Sequence, residues 1–176
     1  MAILKKVRGK YSNDNVIQNL VGYILNFDKM PHRIYGCQGI FMYDAARCIE
    51  IVSRMFCING KQAEHYVLSF TKSEIDKLTP DIILCLGYEI CEYFENRQAV
   101  FACHEIKDDI GFYNNQGYVH IHFVVSTCNL HTGKMNVLNY NDFMTFAFWV
   151  NIDPKADEAE VRKIARDFVD HYGAKG

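Results

Sequence analysis

The chain has no apolar run approaching the roughly 18 residues of a membrane span. No charged-then-apolar leader opens it. Its 176 residues hold no internal repeat, low-complexity tract or linker. Seven cysteines are present (Cys37, Cys48, Cys57, Cys85, Cys91, Cys103 and Cys128), but the number is odd and no CxxC pair occurs. Most lie in apolar surroundings, which reads as buried free thiols in a reducing compartment rather than a disulfide framework. A cytoplasmic protein is expected. An excess of positive charge is also lacking: the net charge is −2, which argues against a domain devoted to coating nucleic acid. A local basic groove stays open, because "MAILKKVRGK" carries Lys5, Lys6, Arg8 and Lys10 and no acid.

What is present is ordinary globular material. Hydrophobic residues make up 49% and charged residues 23%, enough to bury a core without staples. One domain over 1–176 is expected, either a whole protein or the N-terminal part of a longer one. Aromatics, at 14%, suit a core and also suit stacking on bases.

Periodicity then orders the elements. Residues 2–7 predict a strand. Residues 13–29 predict a helix capped by Asn13 or Asp14, with Val16, Ile17, Leu20, Val21, Ile24 and Phe27 on one stripe. Pro31, Gly36 and Gly39 mark a break over 30–39. A helix follows at 43–57, a strand at 64–70 and a helix at 73–94 with a break or kink at Pro80. Strands at 98–104 and 118–126, a turn at Thr132–Gly133 and a closing helix at 155–172 complete the order. This is an α+β class: an antiparallel sheet of about four to five strands, with helices on one face.

The stretch "YVHIHFVVS" (118–126) carries the chemistry. Alternation puts Val119, Ile121, Phe123 and Val125 on one face and His120, His122 and Val124 on the other. If 98–104 pairs antiparallel with this strand, His104 lies close to His120. Three neutral imidazoles can hold a divalent ion with positions left open for a phosphoryl or carbonyl oxygen. They can equally be polar residues at the border of a core, and imidazoles alone do not choose the ion.

Four blocks, in order, carry a resemblance. They are "MAILKKVRGK…NVIQNLVGYILNFDK", containing Y-I-x-N-x-x-K; "EHYVLSFTKSE"; "AVFACHE"; and "HIHFVVSTCNLHTGKMNV", with its N-x-x-T-G-K turn. The chain resembles the relaxases, the mobilisation nucleases of plasmids and conjugative elements within the HUH endonucleases. His120-Ile121-His122 is the histidine–hydrophobe–histidine signature. The match covers about residues 1–140. It implies the ferredoxin-like, split βαβ HUH fold, with Tyr23 as nucleophile and His104, His120 and His122 as metal ligands. It also implies a magnesium or manganese ion, nicking of single-stranded DNA at a transfer origin, and a 5′-phosphotyrosyl link. Relaxosome accessory proteins and a coupling protein are the implied partners.

Beside these stand weaker candidates. Glu64 or His65, depending on register, can orient a metal histidine or activate the tyrosine. Glu105 and Asp108 follow His104. Lys5, Arg8 and Lys134 can meet phosphates. The loop after Glu105, with Phe112, Tyr113 and Tyr118, can contact DNA. Three other readings remain. One is an HUH replication initiator or transposase, whose tyrosine would follow the histidine pair, at Tyr172. Another is a non-catalytic single-stranded nucleic-acid binding module. The last is a zinc-stabilised structural domain.

Overall fold

The structure is a computed structural model that describes residues 3–9, 14–70, 75, 78–105 and 119–152. The expected helix at 155–172, Tyr172, Asp108 and loop residues 106–118 lie outside the described residues. The chain divides into two compact units, Met1–Asn136 and Val137–Gly176.

The first unit is built on one antiparallel sheet. Its elements are β1 (Ile3–Val7), α1 (Asp14–Ile24), β2 (Tyr35–Gln38), α2 (Ala45–Met55), β3 (Ala63–Ser69), α3 (Pro80–Glu92), β4 (Arg97–Glu105) and β5 (Val119–Asn129). The strand order is β1-β3-β5-β4-β2, with every neighbouring pair antiparallel. Of the second unit, the described part carries α4 (Tyr140–Ile152), where the Asn139 side chain accepts a bond from the Asp142 backbone N–H at 3.0 Å.

The central strands, β4 and β5, are buried almost throughout and apolar on both faces. Each face therefore needs a cover. On one face Val100, Ala102 and Val124 pack against Ile17, Leu20, Val21 and Ile24 of α1 and Ile49 of α2. On the other lie Phe101 and Phe123, whose rings are 6.0 Å apart. There α3 comes so close that a Cβ on Gly87 would collide with the Phe101 ring, and Tyr88 meets that ring edge-on at 5.1 Å. The helices thus divide between the two faces, where the sequence pattern put them on one. In runs as apolar as 99–103 and 121–125, alternation no longer separates a covered face from a wet one.

Two elements differ from the sequence reading for local reasons. The stretch read as a break holds β2, because Gly36 is not a turn glycine. The space its Cβ would take is filled by Phe101 and Tyr88, so it marks close packing inside a strand. The 13–29 helix stops at Ile24, and a 3-10 turn over Phe27–Lys29 follows, opened by the Asn26 side chain accepting from Asp28 N–H at 3.0 Å. At Pro80 a helix does begin: Thr79 caps it, its hydroxyl accepting from Ile82 N–H.

Candidate metal centre and nucleophile

Register alone brings the histidines together. His104 of β4 is the direct partner of His120 of β5, and His122 pairs Ala102 on one side and Val67 on the other. All three imidazoles stand on the face covered by α1. Their ring centroids are 4.3 Å apart for His104–His122, 4.8 Å for His120–His122 and 5.5 Å for His104–His120. One ligand atom from each lies within 4.8 Å of the others. His104 and His122 are buried and His120 is half-buried.

Burial also sets their charge. It pushes His120 down to about 4 and His122 to about 2, with the neighbouring imidazoles and Lys29 acting in the same sense. His104 is lowered too, chiefly by burial. All three are neutral near pH 7, the form a metal binds.

The hydrogen bonds leave lone pairs for an ion. His104 Nε2 is 2.8 Å from the Ile24 carbonyl oxygen, which can only accept, so Nε2 carries the proton and Nδ1 keeps its lone pair. His122 Nδ1 is 2.9 Å from His65 Nε2, and the two rings stack. His122 Nε2 is buried with no hydrogen-bond partner. An orphaned imidazole nitrogen inside a cluster of neutral histidines fits a divalent ion. A closed structural zinc site would need a fourth side chain; the metal-ligating group among the described residues has three.

Tyr23 stands beside this cluster. It is the next-to-last residue of α1, 46% exposed, and its ring meets those of His104 and His122 edge-on, each at 5.5 Å. Lys29, from the turn after α1, holds its ammonium 3.9 Å from the Tyr23 ring centroid. Lys29 belongs to the Y-I-x-N-x-x-K pattern but is not among the site residues expected from it. On an unbroken helix six residues turn through about 600°, which sets Lys29 well off the Tyr23 face. Only the early end of α1 and the turn that follows bring it back.

The other expected site residues scatter. His65 touches the cluster through His122. Glu64 does not, and this corrects the expectation that it serves the histidines. It lies on the opposite face of the sheet, fully buried, accepting from the Tyr66 hydroxyl at 2.7 Å and pairing with Lys6 and Lys61. Adjacent strand residues point to opposite faces, so only one of Glu64 and His65 can reach the triad. Glu105 is bound at 2.6 Å by His32 Nδ1. Lys5 shares a register row with Val67 and His122, on the triad face, and is exposed, as is Arg8. Lys134 lies in the turn beyond Asn129, at the other end of β5 from His120 and His122.

A five-stranded antiparallel α+β sheet with a histidine triad on one face is consistent with the HUH nuclease fold. The family model for relaxases (MobA/VirD2-like, nuclease domain) matches residues 23–148, and the chain belongs to that family. The comparisons with curated proteins and with solved structures gave no match. Membership makes this a DNA-nicking nuclease domain. Among the described residues no helix is long and apolar enough to cross a membrane.

Proposed function

We propose that this domain nicks one DNA strand at a transfer origin by transesterification, with Tyr23 as nucleophile, and so starts mobilisation of a plasmid or conjugative element. The observation that carries this reading is the approach of Tyr23 to the triad: a half-exposed phenol ring 5.5 Å from both His104 and His122, with Lys29 on its face.

In the step, the Tyr23 oxygen bonds to phosphorus and the bond from phosphorus to the 3′ oxygen breaks. That oxygen leaves as a hydroxyl, with the proton Tyr23 gives up. The 5′ phosphate stays on Tyr23, so a later attack by a 3′ hydroxyl can rejoin a strand without a nucleotide cofactor. His104, His120 and His122 would hold magnesium or manganese, which would stabilise charge on the scissile phosphate. His122 Nδ1–H donates to His65 Nε2; this tautomer aims the buried His122 Nε2 lone pair into the cluster. Lys29 adds a fixed positive charge beside the nucleophile. Lys5 and Arg8 meet phosphates of the bound strand. Single-stranded origin DNA is the substrate, and relaxosome accessory proteins and a coupling protein in the cytoplasm are the partners.

The test is a denaturing gel of the protein with pooled single-stranded origin oligonucleotides and Mn²⁺, with and without EDTA. A covalent protein–DNA band that needs the metal and vanishes in Tyr23→Phe is expected. Full cleavage by Tyr23→Phe would remove Tyr23 from the mechanism. Oligonucleotide binding without a band, indifferent to EDTA, would favour a binding module instead.

A further inference from the structure

Beside the triad, on the same face of the sheet, three residues that the mechanism does not use form a cluster, the two rings inclined at 45°. The Phe27 ring lies 5.8 Å from the Tyr35 ring, and the Arg33 guanidinium sits 4.3 Å from the Phe27 centroid. Phe27 is 49% exposed and Arg33 is exposed. An apolar ring left half in water beside a nuclease centre calls for an explanation. We propose that Phe27, Arg33 and Tyr35 form a base-stacking subsite, which takes a nucleobase of the single strand close to the scissile phosphate. The inference rests on the relaxase reading and names a part of the substrate that reading leaves unplaced.

Position supports it. Tyr35 pairs Ala102, and Ala102 pairs His122, so Tyr35 and His122 share one register row. Two strand spacings separate them, about 10 Å, which is within a few nucleotides of the phosphate that Tyr23 would attack. Phe27 follows Tyr23 by four residues, on the turn that also carries Lys29.

The loop is held in place on its inner side. Met30 is fully buried, Cys103 N–H donates to the Ile34 carbonyl at 2.9 Å, and His32 ties to Glu105. Arg33 itself has φ +53°, the left-handed conformation that a residue with a Cβ adopts at a cost. That conformation accompanies a guanidinium laid over Phe27 and open to solvent. Aromatic rings and guanidinium planes are the surfaces on which unpaired bases stack, with little regard to sequence. A phosphate-only contact would use the arginine and gain nothing from the two rings.

The experiment measures fluorescence anisotropy of the intact domain with a labelled strand of about 20 thymidylates and with an abasic strand of the same length, both in EDTA so that no cleavage intervenes. Phe27→Ala is expected to weaken thymidylate binding by roughly fivefold to a hundredfold. On the abasic strand it is expected to match the wild-type protein. Arg33→Gly guards against misfolding, since glycine accepts the positive φ without strain. It should fold at least as stably as the wild type and still bind thymidylate more weakly. Equal thymidylate affinity for the wild type and both variants would overturn the subsite. An equal loss on both strands for Phe27→Ala would also overturn it, because bases would then play no part. The readout is strand binding alone. Failure of the relaxase reading would show separately, as absence of a Tyr23-dependent covalent product.

Discussion

His104 Nε2 lies 2.8 Å from the carbonyl oxygen of Ile24, the residue that follows Tyr23. The last carbonyls of a helix have no partner within it. Here one of them is satisfied by a histidine of the triad, which fastens the end of α1 to the sheet beside Tyr23. His104→Ala should therefore fail in two ways. The Ile24 carbonyl loses its donor in a buried setting, which costs about 1–3 kcal/mol of stability. Mn²⁺ binding falls at the same time. Urea unfolding and calorimetric titration measure the two separately. A variant that lost metal affinity with unchanged stability would show that the bond to Ile24 does not anchor α1.

His65 meets the cluster through His122, so its removal should act at one remove. His65→Ala is expected to weaken Mn²⁺ binding roughly tenfold to a hundredfold, the usual effect of removing a partner that orients a ligating histidine. His65→Gln keeps a side-chain acceptor within reach of His122 Nδ1–H and should recover part of the loss. Equal affinities for wild type, Ala and Gln would mean that the 2.9 Å contact between the rings does not tune the site.

Lys29 gives a prediction in which two readouts move in opposite directions. Its charge opposes a cation at the triad, as its lowering of His104, His120 and His122 indicates. Lys29→Met should thus bind Mn²⁺ slightly more tightly. It should nevertheless slow covalent adduct formation, by up to about a hundredfold if the charge is used on the developing phosphate transition state. Lys29→Arg should keep most of the rate. If Lys29→Met lowered metal affinity and rate together, the lysine would be holding the fold rather than serving the chemistry.

Much of this site was legible because strand geometry is rigid. Period two puts His120 and His122 on one face, and antiparallel pairing of two strands close in sequence brings His104 to His120. Helix ends were not legible. The apolar stripe through Phe27 reads as one helix, while the Asn26 cap starts a new turn and redirects Phe27 and Lys29. Glu64 and His65 differ by one residue, and only the pairing of β3 with β5 decides which faces the histidine triad. Gly36 reads as punctuation in the sequence because the ring that fills its missing side chain, Phe101, is 65 residues away in the chain.

The same ring predicts a defect that spares the chemistry. Gly87→Ala puts a methyl group into the Phe101 ring on the face opposite the triad. Overpacking of this kind costs about 1–3 kcal/mol. Urea unfolding should show that loss while Mn²⁺ affinity stays at the wild-type value. A variant as stable as the wild type would mean that α3 shifts away from the sheet with ease.

Acid should destabilise the metal-free domain well before its carboxylates protonate. In the folded chain burial holds His65 and His120 at about 4 and His122 at about 2, against 6.5 for a solvated histidine. Between pH 6.5 and about 4 the unfolded chain therefore binds more protons than the folded one. Stability is complete above the unfolded value and falls as pH drops below it. The slope approaches about 1.4 kcal/mol per pH unit for each such histidine. In EDTA the urea midpoint should drop clearly from about pH 7.5 to about pH 5. Saturating Mn²⁺ should raise the midpoint at pH 7.5 and lose its effect at pH 5, because protons and the ion compete for the same nitrogens. A midpoint flat across this range would mean that the three imidazoles are solvated and the buried cluster does not exist in solution.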